Sequence, residues 1–186
     1  MQNKNPFLSI VTRTCNRPNL LKICTDSVTA QTDQDLEQLF IIDEIGRGKV
    51  WAQASLNEYK NELNINGKYV MVLDDDDFLV DISFIEVLKN TVGCSSPDII
   101  FFRGLLGNKL YPPDELWEKP PVHARICTFC FAVKKDFYMR FIHKWAQRDS
   151  GDFHFIRACF NASKNNLWIN RAVAKAQKIS RGVPGE

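Results

Sequence analysis

The sequence predicts an α/β fold in which helices flank a central, mainly parallel sheet. Short apolar runs rich in β-formers recur along the chain, and segments with helical spacing of apolar residues separate them. The composition is that of a globular protein, with 45% hydrophobic and 25% charged residues in a chain of 186. That length suits one domain with a buried core, so we expect a single domain over residues 1–186.

The first half of the chain alternates between the two kinds of element. Strands are predicted at residues 7–12, 39–43, 68–73 and 98–102. Helices are predicted after Pro18, over 50–63 and over 84–88. Leu20, Leu21, Cys24 and Val28 recur with helical spacing in the first of these helices, and Asn16 is its expected cap.

The second half is less regular. Two Pro-Pro pairs predict a loop or lid over 110–122. A strand is predicted at 126–133, helices over 134–145 and 153–160, and a mixed tail over 168–177.

The six cysteines are scattered through apolar segments, which is typical of reduced, buried thiols. Cys127 and Cys130 have the spacing of half a zinc site. On the predicted strand their side chains point to opposite faces, and a second ligand pair is missing, so we interpret them as structural.

Charge and hydropathy exclude several classes of function. The net charge of +2 comes from 24 basic and 22 acidic residues, which gives no electrostatic case for binding nucleic acid. No apolar stretch approaches the ~20 residues that a transmembrane helix needs. The N-terminus lacks the apolar region of a signal peptide, so we expect a cytoplasmic location.

Four consecutive aspartates, Asp74 to Asp77, follow the predicted strand 68–73, and Asp43 ends the strand before it. Ligands of α/β sheets bind beyond the carboxyl ends of the strands, where both acidic segments are expected. Two carboxylates 4 Å apart repel each other by about 4 kcal/mol at an effective dielectric near 20. A divalent cation such as Mg²⁺ or Mn²⁺ removes that penalty, and a solvated acidic turn is the alternative.

A calcium loop of the EF-hand type is excluded for the same residues. It requires glycine at the sixth position and glutamate at the twelfth. Counted from Asp74, those positions hold Leu79 and Ile85.

Taken together, the motifs resemble glycosyltransferase family 2, which has the GT-A fold. The resemblance covers about residues 7–90. The matching segments are 14–18 (TCNRP), 20–21 (LL), 27–32 (SVTAQT), 42–44 (IDE), 67–69 (GKY) and 73–77 (LDDDD). Arg13 stands where family members often have proline, and Cys15 where tyrosine is usual.

The resemblance implies a donor site for a nucleotide-sugar, most often a UDP-sugar, with Mn²⁺ or Mg²⁺ as cofactor. It divides the chain into a nucleotide-sugar-binding half, 7–103, and an acceptor and catalytic half, 104–180. The implied donor-binding residues are Thr14, Cys15 and Arg17 beside the base, Asp43 as acceptor of a hydrogen bond from the base, Asp74 near the ribose, and Asp75 at the motif's variable position. The implied metal ligands are Asp76, which bridges to the diphosphate through the ion, and Asp77. A helix or turn cap is the alternative for Asp43.

Inverting sugar transfer needs a carboxylate that takes the proton of the acceptor hydroxyl. Family members carry this acid just before a late helix, and Asp152 in 150–156 (SGDFHFI) has a similar setting. The alternative is that Asp152 only caps a helix beginning near Phe153. Asp149 is the reserve candidate for the base.

Two other functions compete with this hypothesis. A sugar-nucleotide pyrophosphorylase needs a glycine-rich phosphate loop after the first strand, and residues 14–17 (TCNR) contain no glycine. A binding module without catalysis would keep the acidic residues but lack a working base. As partners of the enzyme we expect a nucleotide-sugar donor and a carbohydrate or other hydroxyl acceptor.

Overall fold

The computed structural model describes residues 5–147 and 150–177, and it has the predicted α/β architecture. The strands are β1 (Leu8–Thr14), β2 (Leu36–Ile42), β3 (Tyr69–Val72), β4 (Asp77–Leu79), β5 (Ile99–Leu106), β6 (Lys109–Tyr111), β7 (Phe131–Lys134) and β8 (Asn166–Ala176). The helices are α1 (Pro18–Thr29), α2 (Lys49–Glu58), α3 (Phe84–Val92), α4 (Lys135–Phe141) and α5 (Gly151–Ala162). Short 3-10 turns lie at Asp114–Leu116, Thr128–Cys130 and Ile142–Ala146.

Within the described residues the strands form one sheet in the order β2-β1-β3-β7-β5-β8-β4, and β6 forms a hairpin with β5. The pairings β1–β2, β1–β3 and β5–β8 are parallel. They are longer in total than the antiparallel pairings, so the sheet is mainly parallel as predicted. Strands β1, β2, β3, β5 and β8 all run the same way, which brings their carboxyl ends to one edge.

The core lies between the sheet and the apolar faces of the helices. Strand β3 is buried along its whole length, as expected for a central strand. Helix α1 buries Leu20, Cys24 and Val28 at helical spacing. In the second half, the ring of Phe155 on α5 packs against those of Tyr138 (5.5 Å) and Trp145 (5.2 Å), which fastens α5 to the segment before it.

Three local predictions are wrong. The segment 168–177 belongs to the long strand β8, because its backbone pairs with both β5 and β4. Asn16 does not cap α1; it has a positive φ of 48°, its side chain donates to the carbonyl of Glu44, and the helix has no side-chain cap.

The strand predicted at 126–133 begins only at Phe131. The turn Thr128–Cys130 precedes it, and the backbone N–H of Cys130 donates to the carbonyl of Cys127 at 3.0 Å. The argument that these two cysteines point to opposite faces of a strand is therefore wrong. All six cysteines are free thiols, but only Cys24, Cys130 and Cys159 are buried, and Cys94 is exposed.

None of the helices in the described residues is long and apolar enough to cross a membrane.

Candidate functional site

Acidic and polar residues converge at the edge where the parallel strands end. Thr14 ends β1, Asp43 follows β2, and the acidic run begins two residues after β3. The end of β8 reaches the same place, because the backbone N–H of Gln177 donates to the carbonyl of Asp76 (2.7 Å) and its side-chain amide to that of Asp75 (3.0 Å). The predicted meeting of the two acidic segments at one edge is therefore present.

Two arginines divide the acidic run. Arg13 donates to both carboxylate oxygens of Asp74, at 2.7 Å each. Arg17 binds both oxygens of Asp75 in the same fork geometry and reaches Asp76 at 3.5 Å. Such bidentate pairs are directional and charge-assisted, so they fix the orientation of Asp74 and Asp75.

Asp75 is the most buried of the four aspartates and has the most contacts with the rest of the protein. Its side chain is fully buried and also receives a hydrogen bond from Thr14, and its backbone N–H donates to the carbonyl of Arg13. Burial raises the pKa of Asp75, and Thr14 and Arg17 oppose that shift. These contacts give Asp75 a supporting position beneath the site.

The next two carboxylates have a different environment. Asp74, Asp76 and Asp77 each present an oxygen, and these oxygens lie within 4.8 Å of one another. Asp77 is only 5% exposed, and we find no hydrogen bond or ion pair for its carboxylate within the described residues. Burial, together with the charges of Asp74 and Asp76, raises the pKa of Asp77 well above its usual range.

This group fits a divalent cation. Mg²⁺ and Mn²⁺ prefer hard carboxylate oxygens and take further ligands from substrate phosphates. A cation next to Asp77 would supply the opposite charge that this buried carboxylate otherwise lacks. Asp76 and Asp77 are the residues that would hold it, and Asp74, both of whose oxygens are bound by Arg13, lies beside them.

Asp43 shapes the loop after β2. Its carboxylate is 4% exposed and accepts backbone N–H groups from Ile45 (3.3 Å), Gly46 (3.1 Å) and Arg47 (2.6 Å). This is the turn cap that the sequence left open as the alternative. Cys15 lies against the same loop, since its sulfur would be 3.8 Å from a Cβ placed on Gly46.

Asp152 lies on the first turn of α5, and its Oδ1 accepts the N–H of Phe153 at 2.8 Å. The helix begins at Gly151 with Ser150 as its N-cap residue, so Asp152 is inside the helix. Burial raises the pKa of Asp152; the Phe153 N–H, Arg13 and Lys49 lower it, and Asp74 raises it. The fold therefore brings Asp152 into electrostatic range of the acidic run. Asp149 lies outside the described residues.

The end of the segment 110–122, predicted as a loop or lid, and His123 just after it pack beside the start of α5. His123 Nε2 and the Ser150 hydroxyl are 2.6 Å apart, and the His123 ring contacts that of Phe153 edge-on at 5.4 Å. Arg157 on α5 donates to the carbonyl of Pro121 at 2.9 Å. The segment around 121–123 thus borders the position of Asp152.

Sequence reasoning missed the roles of Arg13 and Gln177. Arg13 was visible only as a departure from the family pattern, although an arginine next to an apolar strand needs a facing carboxylate. Gln177 carries no signal in the sequence, because its contacts depend on where β8 ends.

Comparisons with known proteins place the fold. No protein-family model matches the chain, and no curated protein matches it. Among solved structures, S. aureus TarS in complex with UDP is 11% identical with a TM-score of 0.66, and the alignment covers 91% of this chain and 60% of that one. A mannosyltransferase from Pyrobaculum calidifontis, in complex with GDP-Man and Mn²⁺, is 14% identical with a TM-score of 0.62, with 97% and 59% covered.

A third similar structure is a glycosyltransferase involved in the glycosylation of the major capsid of PBCV-1, with 11% identity and a TM-score of 0.60. Here 95% of this chain and 96% of the other are covered. This chain has the fold of these glycosyltransferases. The fold that the resemblance implied is confirmed, whereas membership of family 2 stays a prediction. The chain spans about three-fifths of the length of TarS 1-349 and of the mannosyltransferase.

Proposed function

We propose that the protein is a glycosyltransferase that moves a sugar from a nucleotide-sugar, preferably a UDP-sugar, to a hydroxyl acceptor with the help of Mn²⁺ or Mg²⁺. The observation that carries the proposal is the buried carboxylate of Asp77, grouped with Asp74 and Asp76 where the parallel strands end. In a glycosyltransferase fold, this edge is where a ligand is expected.

The proposed donor site uses the residues that the sequence singled out. Thr14, Cys15 and Arg17 border the base and Asp43 accepts its hydrogen bond. Asp74 lies near the ribose, and Asp75 acts by holding Arg17. Asp76 and Asp77 would hold the metal, which would neutralise charge on the departing diphosphate.

The transfer itself is a displacement at the anomeric carbon. Asp152 takes the proton of the acceptor hydroxyl while its oxygen attacks that carbon, and the bond to the diphosphate breaks. Attack opposite the leaving group inverts the configuration. Burial supports this role of Asp152, because a raised pKa makes a carboxylate a stronger base.

Relatives of the same fold support the choice of donor. The TarS structure holds UDP, and the Pyrobaculum structure holds GDP-Man with Mn²⁺. GDP-sugars are therefore the second class of donor to test. We also propose that residues 7–103 bind the donor and that residues 104–180 bind the acceptor and carry the base. The proposed acceptor is a carbohydrate, and the proposed location is the cytoplasm.

A binding module without catalysis is the second candidate. It is favoured by the hydrogen bond from the Phe153 N–H to Asp152 Oδ1 (2.8 Å), which gives the proposed base a structural role at the start of α5. An enzyme and a binding module differ in turnover, since only an enzyme splits the donor.

The test is the release of nucleoside diphosphate from UDP-sugars and GDP-sugars, with Mn²⁺ and with EDTA. We expect slow donor hydrolysis that requires the metal and disappears in Asp152→Asn. Metal-dependent binding with no hydrolysis and no transfer to any hydroxyl acceptor would support the binding module. Absence of both binding and hydrolysis would refute the proposal.

A further inference from the structure

The side chain of Arg13 joins four parts of the molecule. It leaves β1 one residue before the strand ends and forks onto Asp74. Its Nη1 donates to the carbonyl of Ala52 on α2 at 2.8 Å. Its guanidinium also lies over the ring of Trp145, 5.6 Å from the ring centre.

Asp152 acts on the same guanidinium through its charge and without a direct hydrogen bond. Burial by itself lowers the pKa of Arg13, but Asp74, then Tyr138 and Asp152, raise it above the usual value. Carboxylates from both halves of the chain, Asp74 and Asp152, therefore act on the charge of Arg13. The side chain of Arg13 is only 12% exposed, so solvent screens these charges weakly.

Trp145, whose ring lies under the guanidinium of Arg13, also fixes the position of α5, the helix that carries Asp152. A Cβ on Gly151 would overlap the carbonyl oxygen of Trp145, so the start of α5 rests directly on that residue. Trp145 is 1% exposed and stacks on Phe155 of α5. Through Trp145, the position of Arg13 is linked to the position of the first turn of α5.

We propose that Arg13 is a positioning residue for sugar transfer. It holds Asp74 at the metal group, and through its contact with Trp145 it fixes the distance between Asp74 and Asp152. The inference rests on the proposed function. A planar guanidinium can fork onto a carboxylate, donate to a carbonyl and lie over a ring at once, and a lysine ammonium cannot hold this set of contacts. Misplacement of a reacting group by about 1 Å can cost on the order of 10²-fold in rate.

The test compares Arg13→Lys and Arg13→Ala with the control Arg171→Ala in the full chain. Arg171 also forks onto one aspartate, Asp81, and its side chain has no hydrogen bond or ion pair with the acidic run or Asp152 within the described residues. Donor hydrolysis with UDP-sugar and Mn²⁺ gives kcat and KM, and guanidinium chloride at millimolar concentration is added as a rescue agent. Melting curves check that each variant folds.

We expect Arg13→Lys to lose on the order of 10-fold to 100-fold in kcat with its donor KM changed less than about threefold, since binding is kept and orientation is lost. Arg13→Ala should regain part of its lost kcat when guanidinium is added. Arg171→Ala should show neither a loss of kcat nor a rescue by guanidinium. Normal kcat in Arg13→Lys would overturn the inference, and so would equal guanidinium responses in Arg13→Ala and Arg171→Ala. If Arg13→Ala does not fold, the kcat of Arg13→Lys alone decides. A wild-type protein that neither hydrolyses a UDP-sugar or GDP-sugar nor transfers its sugar to a hydroxyl acceptor would instead refute the proposed sugar transfer.

Discussion

Four neighbouring aspartates with identical chemistry occupy different environments at the residue scale. Asp75 is buried and bound by Arg17, whereas the side chain of Asp76 is 39% exposed and reaches Arg17 only at 3.5 Å. The sequence showed where the run lies, but not which carboxylates are already paired. Pairing depends on Arg13 and Arg17, whose reach toward the run is a matter of tertiary structure.

The substitutions Asp76→Asn and Asp75→Asn should separate metal binding from stability. Asp76→Asn removes a carboxylate from the metal group, so we expect weaker Mn²⁺ binding with little change in the free energy of unfolding. Asp75→Asn breaks the fork with Arg17 and should cost about 2 kcal/mol of stability. Calorimetric Mn²⁺ titration and urea denaturation measure the two quantities. Equal losses of metal affinity would show that the assignment within the run is wrong.

Asp152→Asn should abolish transfer while leaving nucleotide and metal binding nearly intact. A general base contributes in the transition state, so its loss lowers turnover on the order of 10²-fold to 10⁴-fold. Asparagine can still accept the N–H of Phe153, so the start of α5 should be kept. Turnover and calorimetric UDP affinity are measured side by side, and unchanged turnover would remove Asp152 from the mechanism.

The pH dependence of kcat/KM at saturating Mn²⁺, which keeps the carboxylates of the metal group ionised, gives a second check on Asp152. A base acts only when ionised, and burial raises its pKa. Activity should therefore be present above the folded-state pKa of Asp152 and fall as the pH drops through it. This acidic limb should lie above the ordinary aspartate value of about 4. A limb at or below that value would contradict the assignment.

At the element scale, Gly67 shows why the chain keeps a small residue before β3. A Cβ on Gly67 would overlap the backbone nitrogen of Ser9 and come 2.8 Å from the carbonyl carbon of Leu8 on β1. Gly67→Ala should therefore destabilise the fold by about 3 kcal/mol, at the upper end of overpacking costs. The control is Gly107→Ala, where a Cβ meets open space and only the positive φ of 62° costs about 1 kcal/mol. Equal denaturation midpoints for the two variants would refute this account.

Strands β1, β3 and β5 could be predicted from sequence because they are short apolar runs buried along most of their length. Strand β2 was predicted from its apolar end, although it lies at the edge of the sheet and exposes Phe40 and Ile42. Strand β8 could not, since Arg171 and Lys175 interrupt its pattern and its register with β5 shifts near Arg103. The turn before β7 was missed for a similar reason: Phe129 fits against Gly104, which is distant in sequence. The candidate site was predicted where it depends on strand ends, and missed where it depends on Gln177 or Arg13.

For the whole molecule, the proposed site draws on both halves of the chain. The acidic run and Asp43 come from the first half, and Asp152 comes from the second. Strand β8 returns between β5 and β4 and places Gln177 on the backbone of the acidic run. Donor binding should therefore stabilise the complete fold and not a local segment.

Thermal unfolding with UDP and Mn²⁺ tests the central claim most directly. UDP at 100 times its dissociation constant should stabilise the fold by about 2.7 kcal/mol. For a chain of this size that raises the melting temperature by about 5 to 11 °C. We predict this shift for the wild-type protein with Mn²⁺, and its loss with EDTA or in Asp76→Asn. The absence of a shift with any nucleoside diphosphate plus Mn²⁺ or Mg²⁺ would contradict the account.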